Sequence, residues 1–180
     1  IDVCMEMGYT LEILSLLNFR AGKLEKAIQQ IKRKIQIAHE LSDHHCEALA
    51  LNSAGLYFTN SNKFDSANIC LDKALEILRK YPDTTFFASV YHNKAYNTGR
   101  KVRLTYLYWE ENKEIIRNYY KKAIYWLLNA TDLEKTYNFK SKNEYAGYLS
   151  IYHNLAYYYL NLRTHDDTVS ALKYLHKVKS

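Results

Sequence analysis

A chain of 180 residues is long enough to bury a substantial core or to form one short solenoid. Its formal net charge of +6 and pI near 9.0 are only mildly basic, which keeps nucleic-acid binding from being the first reading. One proline, five glycines and little strand-like alternation argue for long, barely interrupted helices, and eighteen tyrosines are unusual, able in helix pairs to set a large apolar body with a polar tip at a groove edge.

Taken in order, the chain opens at Ile1 rather than Met, which suggests a fragment of a longer protein. Asp2, Glu6 and the lack of a basic start argue against a signal peptide. No apolar run approaches the roughly 18 residues of a membrane span. Helical periodicity predicts eight helices, near 2–19, 24–41, 44–60, 64–80, 84–110, 113–130, 142–162 and 167–179. Asp43 is placed to cap the third by accepting backbone N–H bonds. Pro82-Asp83-Thr84 ends the fourth and starts the fifth. Gly99 is a candidate kink in the fifth, since Gly costs about 1 kcal/mol against Ala inside a helix. Thr131 and Asp132 are placed as a further corner, opening a long polar connection over 131–142. Asp166 and Asp167 suit a helix N-terminus.

Internal repetition ties these helices together. Ser15, Gly55 and Ala95 are small residues 40 apart, each inside an apolar helical pattern, and Ala27 and Ala67 are again 40 apart. After Ala95 the spacing loosens, and Ala123 takes the place of Ala74. A fourth unit echoes the third: Tyr152-His153-Asn154 repeats Tyr91-His92-Asn93, and Ala156 repeats Ala95. The units span about 2–41, 44–80, 84–130 and 142–179. One hairpin cannot bury its own apolar face, so the four are expected to stack into one cooperative domain.

The stretch 48–78 carries the most specific pattern. Leu51, Ala54, Gly55, Phe58, Phe64, Ala67, Leu71 and Ala74 alternate small and bulky residues across two helices, with Asn62 at the corner between them. This resembles a tetratricopeptide repeat, a family that prefers Gly at the corner. The resemblance implies an all-α fold, an α-α superhelix of about four helical hairpins, and a non-enzymatic protein- or peptide-binding scaffold without cofactors. The 40-residue units are also similar to those of bacterial sensors that bind signalling peptides and control an attached output domain.

In that family the first helix of each pair lines the concave surface. Carried over residue by residue, the resemblance places Asn52, Leu56, Ser89, His92, Tyr96, Arg100, Ser150, His153 and Tyr157 in a peptide-binding groove. Asn, His and Ser can bond a peptide backbone while tyrosine rings cover its apolar side chains. The bland alternative is that His92 and His153 recur only because the hairpins are built alike. The family's carboxylate clamp for chaperone tails is not matched: Glu12, Leu16 and Ser53 hold its Lys and Asn places. The final helix carries Leu172 and Leu175 with no capping helix after it, so that face is expected to be covered either by a self-contact, a homo-oligomer through the terminal helices, or by residues outside this chain.

Other chemistry finds little support. His39, His44, His45 and Cys46 lie close in sequence but match no usual zinc spacing. Cys4, Cys46 and Cys70 show no CxxC spacing, which suits free thiols in a reducing, cytoplasmic setting. No GxSxG, GxGxxG or GxxxxGK[ST] occurs. The basic spots Lys32-Arg33-Lys34, Arg100-Lys101-Val102-Arg103 and Lys121-Lys122 read as solvated helix faces. Nucleic-acid binding through them is the alternative function.

Overall fold

The computed structural model describes residues 2–81, 84–105, 109–134 and 142–179. These form eight α-helices: α1 Asp2–Arg20, α2 Leu24–Glu40, α3 His44–Asn60, α4 Phe64–Lys80, α5 Thr84–Thr105, α6 Trp109–Glu134, α7 Lys142–Leu162 and α8 His165–Lys179. The fold is an all-α helical repeat. It divides into two compact units, Ile1–Phe86 and Phe87–Ser180.

The first unit is built on a half-repeat of 20 residues. Helices α2, α3, α4 and α5 begin at residues 24, 44, 64 and 84. Three-residue corners separate the first four helices, and each corner is closed in the same way. Lys23 N–H reaches Asn18 O, Asp43 N–H reaches Ala38 O, and Lys63 N–H reaches Phe58 O. This closure satisfies a carbonyl left over at the helix end and needs a left-handed residue just before the donor. Gly22, Ser42 and Asn62 supply it, at φ 73°, 55° and 60°. Asn62, unlike Gly, has a Cβ, but a short polar side chain tolerates this region. Asp43 caps α3 through a 3.0 Å bond from the Cys46 N–H, and that bond holds its carboxyl below its ordinary range.

Between the corners, α1 packs on α2, α2 on α3 and α3 on α4. The core of this unit joins Ala27, Ile28 and Ile31 of α2 to Ala50, Ala54, Tyr57 and Phe58 of α3. Gly55 is required by close approach: a Cβ there would lie 2.6 Å from Leu71 Cγ on α4. Ala67, Ala74 and Leu71 are likewise fully buried.

In the second unit α6 packs on α7 and α7 on α8. Two equivalent aromatic pairs close its hairpins. Tyr91 stacks on Trp126 at 5.9 Å between α5 and α6, and Tyr152 stacks on Tyr174 at 6.1 Å between α7 and α8. The core gathers Ala95, Val102, Ala123, Leu127, Ile151 and Leu155.

Several expected boundaries shift. Helix α6 runs through Thr131 and Asp132, so neither is a corner residue. Fully buried Ala130 anchors the last turns of the helix, and the Thr131 hydroxyl donates back to Leu128 O at 2.8 Å instead of capping. Of the expected 131–142 connection, residues 135–141 lie outside the described residues, as do Pro82 and Asp83. Helix α8 starts two residues early because Thr164 caps it. Its Oγ1 accepts from the Asp167 N–H at 3.2 Å and donates to the Asp167 carboxylate, a reciprocal capping pair. Gly99 lies within α5 as a seat for Tyr158 of α7, described below.

Candidate functional site

The second unit holds seven of the nine expected groove residues. Ser89, His92, Tyr96 and Arg100 stand on α5, and Ser150, His153 and Tyr157 stand on α7. Gly99 sets how these two helices meet. A Cβ on it would lie 2.5 Å from the Tyr158 hydroxyl, and that hydroxyl donates to Ala95 O at 3.1 Å. The ring of Tyr158 thus lies across the backbone of α5, and its neighbours Tyr157 and His153 are held at the α7 surface.

Around the buried Tyr158 hydroxyl lies a cluster of phenols and cations. Burial pushes its pKa far up, with Tyr157, Tyr120 and Tyr96 adding to the rise and Arg103 opposing it. Tyr120 on α6 is raised by burial as well, again opposed by Arg103 and Arg163. On α5, the Arg100 guanidinium donates through Nη1 to the Tyr96 hydroxyl at 3.3 Å. Residues four apart on a helix are neighbours on one face, and this bond holds the cation beside the ring. Tyr157 is 41% exposed and packs edge-on against Tyr158, centroids 5.4 Å apart. The surface combines aromatic walls, hydroxyls and fixed positive charge.

The two histidines part company. His92 is partly buried, and its Nε2 lies 2.7 Å from Asn154 Nδ2. An amide NH₂ only donates, so the ring accepts there as the neutral form. Burial lowers its pKa in the same sense. His92 therefore joins α5 to α7. His153, at the matching place on α7, is exposed. Ser89 and Ser150 are partly buried. Tyr120 and Tyr158 were not singled out in the sequence, and Asn154 and Arg103 were named there without a role in the site. Arg103 carried a signal, seven residues after Tyr96 on one helical face, and Asn154 stood within the repeated Tyr-His-Asn.

Asn52 and Leu56 stand on α3 in the first unit. Leu56 packs against that unit's core, and Asn52 is partly buried. The unit also holds a polar cluster the sequence did not reveal. Lys34, 4% exposed, pairs with Glu12 of α1. Next to it Ser15 meets the Tyr57 hydroxyl at 3.3 Å. Lys34 is thus not part of a solvated basic face, unlike exposed Lys32 and Arg33. It lines a small recess open to solvent, together with Tyr9, Ile37, Leu41, Asp43 and Cys46. The Cys46 thiol is pushed up to about 11 by burial and by Asp43, so it is protonated at neutral pH and a poor nucleophile.

The sequence cluster at 39–46 is dispersed among other partners. His39 pairs with Glu47 at 3.1 Å, His44 stacks on Tyr81 at 3.8 Å, and His45 meets Phe86 edge-on at 4.7 Å. Among the described residues no three His, Cys, Asp or Glu side chains form a group that could hold a metal ion. No described helix is long and apolar enough to cross a membrane. No known family model matches the chain, and no curated protein does.

Proposed function

We propose that the chain is a non-enzymatic, tetratricopeptide-type binding module, and that the tyrosine–arginine surface of its second unit holds an acidic segment of a protein partner. One observation carries this reading: the 3.3 Å bond that fixes Arg100 beside Tyr96, on the helix joined to exposed Tyr157 through Tyr158. A guanidinium held beside a phenol fixes positive charge next to the exposed ring of Tyr157, and that charge attracts carboxylates. The neighbouring rings take up the apolar side chains of the same segment. The net charge of +6 favours encounter with an acidic partner. Such a module suits the interaction or sensor part of a cytoplasmic regulatory protein, and free Cys46 and Cys70 fit a reducing compartment.

The test is fluorescence anisotropy with labelled peptides that interleave Asp or Glu with Leu, Tyr or Phe, against twins carrying Asn and Gln. The reading expects the acidic set to bind the more tightly, and Tyr157→Ala to weaken that binding about tenfold or more. Equal binding of both sets, or no effect of Tyr157→Ala at unchanged helicity, would overturn it.

A further inference from the structure

A few contacts set α5, α6 and α7 in register within the second unit. His92 bonds Asn154, and Gly99 meets Tyr158, so α5 and α7 run parallel. Tyr158 packs on Tyr120 at 5.8 Å, and Arg117 donates through Nε to Leu162 O at 3.3 Å, so α6 runs opposite to both. One turn past the layer of Gly99, Tyr158 and Tyr120, the three helices bring arginines to a common level. Arg103 stands there on α5, Arg117 on α6, and Arg163 directly after the end of α7. Residues three or four apart share a helical face. Arg103 is therefore on the side of α5 that Tyr158 covers, and Arg117 is on the side of α6 that carries Tyr120.

This level is positive. Burial raises the pKa of Tyr120 and Tyr157 adds to the rise, while Arg103 and Arg163 both oppose it. Two cations from different elements thus act on one hydroxyl. Arg103 and Arg163 are both exposed. The ion pairs among the described residues are Lys34 with Glu12 and His39 with Glu47, so no described carboxylate pairs with Arg103 or Arg117, not even Glu114 one turn before Arg117. Asp167, close to Arg163 in sequence, is engaged with Thr164 at the start of α8. A helix dipole favours a cation at a C-terminus, yet the end of α7 has Arg117 on its last carbonyl and Arg163 as well.

A carboxylate offers its two oxygens in one plane, which a single guanidinium matches. Guanidiniums that arrive from α5 and from the end of α7 suit a tetrahedral group instead, with three strong acceptor oxygens and a charge of about −2. Tyr157, exposed and edge-on to Tyr158, supplies an aromatic wall for a ring that carries such a group.

We infer that the anion anchored at this level is a phosphate monoester, borne as phosphotyrosine by the partner segment, with Arg103 and Arg163 on its oxygens and Tyr157 against its ring. This rests on the reading of the second unit as a surface for acidic protein segments, and it names the residue that anchors such a segment.

The test is fluorescence anisotropy with one labelled acidic peptide in three forms, carrying phosphotyrosine, tyrosine or glutamate at its centre. Inorganic phosphate and a single-stranded oligonucleotide are titrated beside them. The parent is expected to bind the phosphotyrosine form about tenfold or more tighter than either twin. The double variant Arg103→Gln, Arg163→Asn changes two exposed positions, and Asn tolerates the left-handed φ of 61° at residue 163. It is expected to remove the preference and to bind the glutamate form nearly as the parent does. Equal binding of the phosphotyrosine and glutamate forms by the parent overturns the inference while leaving the acidic-segment reading in place. A preference that survives the double variant at unchanged helicity overturns it too. Inorganic phosphate that displaces the peptide at matching concentration would assign the site to a small phosphate ligand. An oligonucleotide bound as tightly as the phosphopeptide would assign it to nucleic acid, and either result overturns the partner named here. Binding of none of the three peptides sinks both readings.

Discussion

Tyr158 lies on Gly99 so closely that a Cβ there would stand 2.5 Å from its hydroxyl and 2.6 Å from its ring edge. The tyrosine cannot simply swing away, because its hydroxyl is bonded to Ala95 O. Gly99→Ala should gain about 1 kcal/mol of helix propensity and lose about 1–3 kcal/mol to overpacking, for a net loss of stability. Tyr158→Phe should cost about 1 kcal/mol through the unmade bond. The double variant should lose less than the sum, since the shortened ring relieves part of the clash. Urea melts of the four proteins check this. Strict additivity would show that the two residues do not press on one another.

The second prediction follows from His92. Its pKa is lowered from the ordinary 6.5 by burial, and its neutral ring accepts from Asn154. The unfolded chain therefore binds this proton more readily than the folded one, and stability rises with pH across the window. The contribution is complete above about pH 7 and is lost as pH falls below 6.5 toward the lowered folded value. His92→Gln keeps a polar partner for Asn154 but does not titrate. Melts from pH 7.5 to 5 should fall less steeply for this variant than for the parent. Parallel curves would remove His92 as a source of the pH dependence.

A third concerns Lys34, which occupies on α2 the place that Ala74 holds on α4, 40 residues on. Its partner Glu12 keeps 42% of its side-chain surface exposed. Removing the lysine therefore leaves a carboxylate that water can still reach. Removing one member of an ion pair is costly mainly when the other is left buried and unpaired, and methionine refills the space of the lysine stem. Lys34→Met should change stability by less than about 1 kcal/mol in chemical denaturation. A loss of about 3 kcal/mol or more would mean that the pair carries much of this unit's stability.

The architecture was legible in the sequence because its signals are local and repeated. Gly55, Ala67 and Ala74 announce close contacts, and all three are buried where helices touch. The 20-residue step was harder to see. Gly22 and Asn62 are recognisable left-handed residues, but Ser42 and Arg163 adopt the same region, at φ 55° and 61°, without a residue type that advertises it. The α6 boundary was misplaced because Thr131 and Asp132 carry capping chemistry that tertiary packing overrode.

The candidate site was less legible, since identical tripeptides met different surroundings. Tyr91-His92-Asn93 and Tyr152-His153-Asn154 share their tyrosine role, stacking on Trp126 and Tyr174. They differ at histidine because His92 faces α7 while His153 is exposed. Contacts such as His92 with Asn154, 62 residues apart, depend on which helix follows in space, and periodicity within one helix does not encode that.

The central claim is that Arg100 and Tyr157 recognise acidic protein segments. Its most direct measurement is calorimetric titration of the parent and of the Arg100→Ala, Tyr157→Ala double variant with the tightest acidic peptide from the anisotropy panel, at two salt concentrations. Anchors of this kind cost about 2 kcal/mol or more each on truncation, which is about a thirtyfold loss in affinity. The account predicts a loss of at least that size in the double variant, at unchanged helicity, and weaker binding by the parent at high salt. Parent and variant binding the peptide equally, or a parent indifferent to salt, would contradict it.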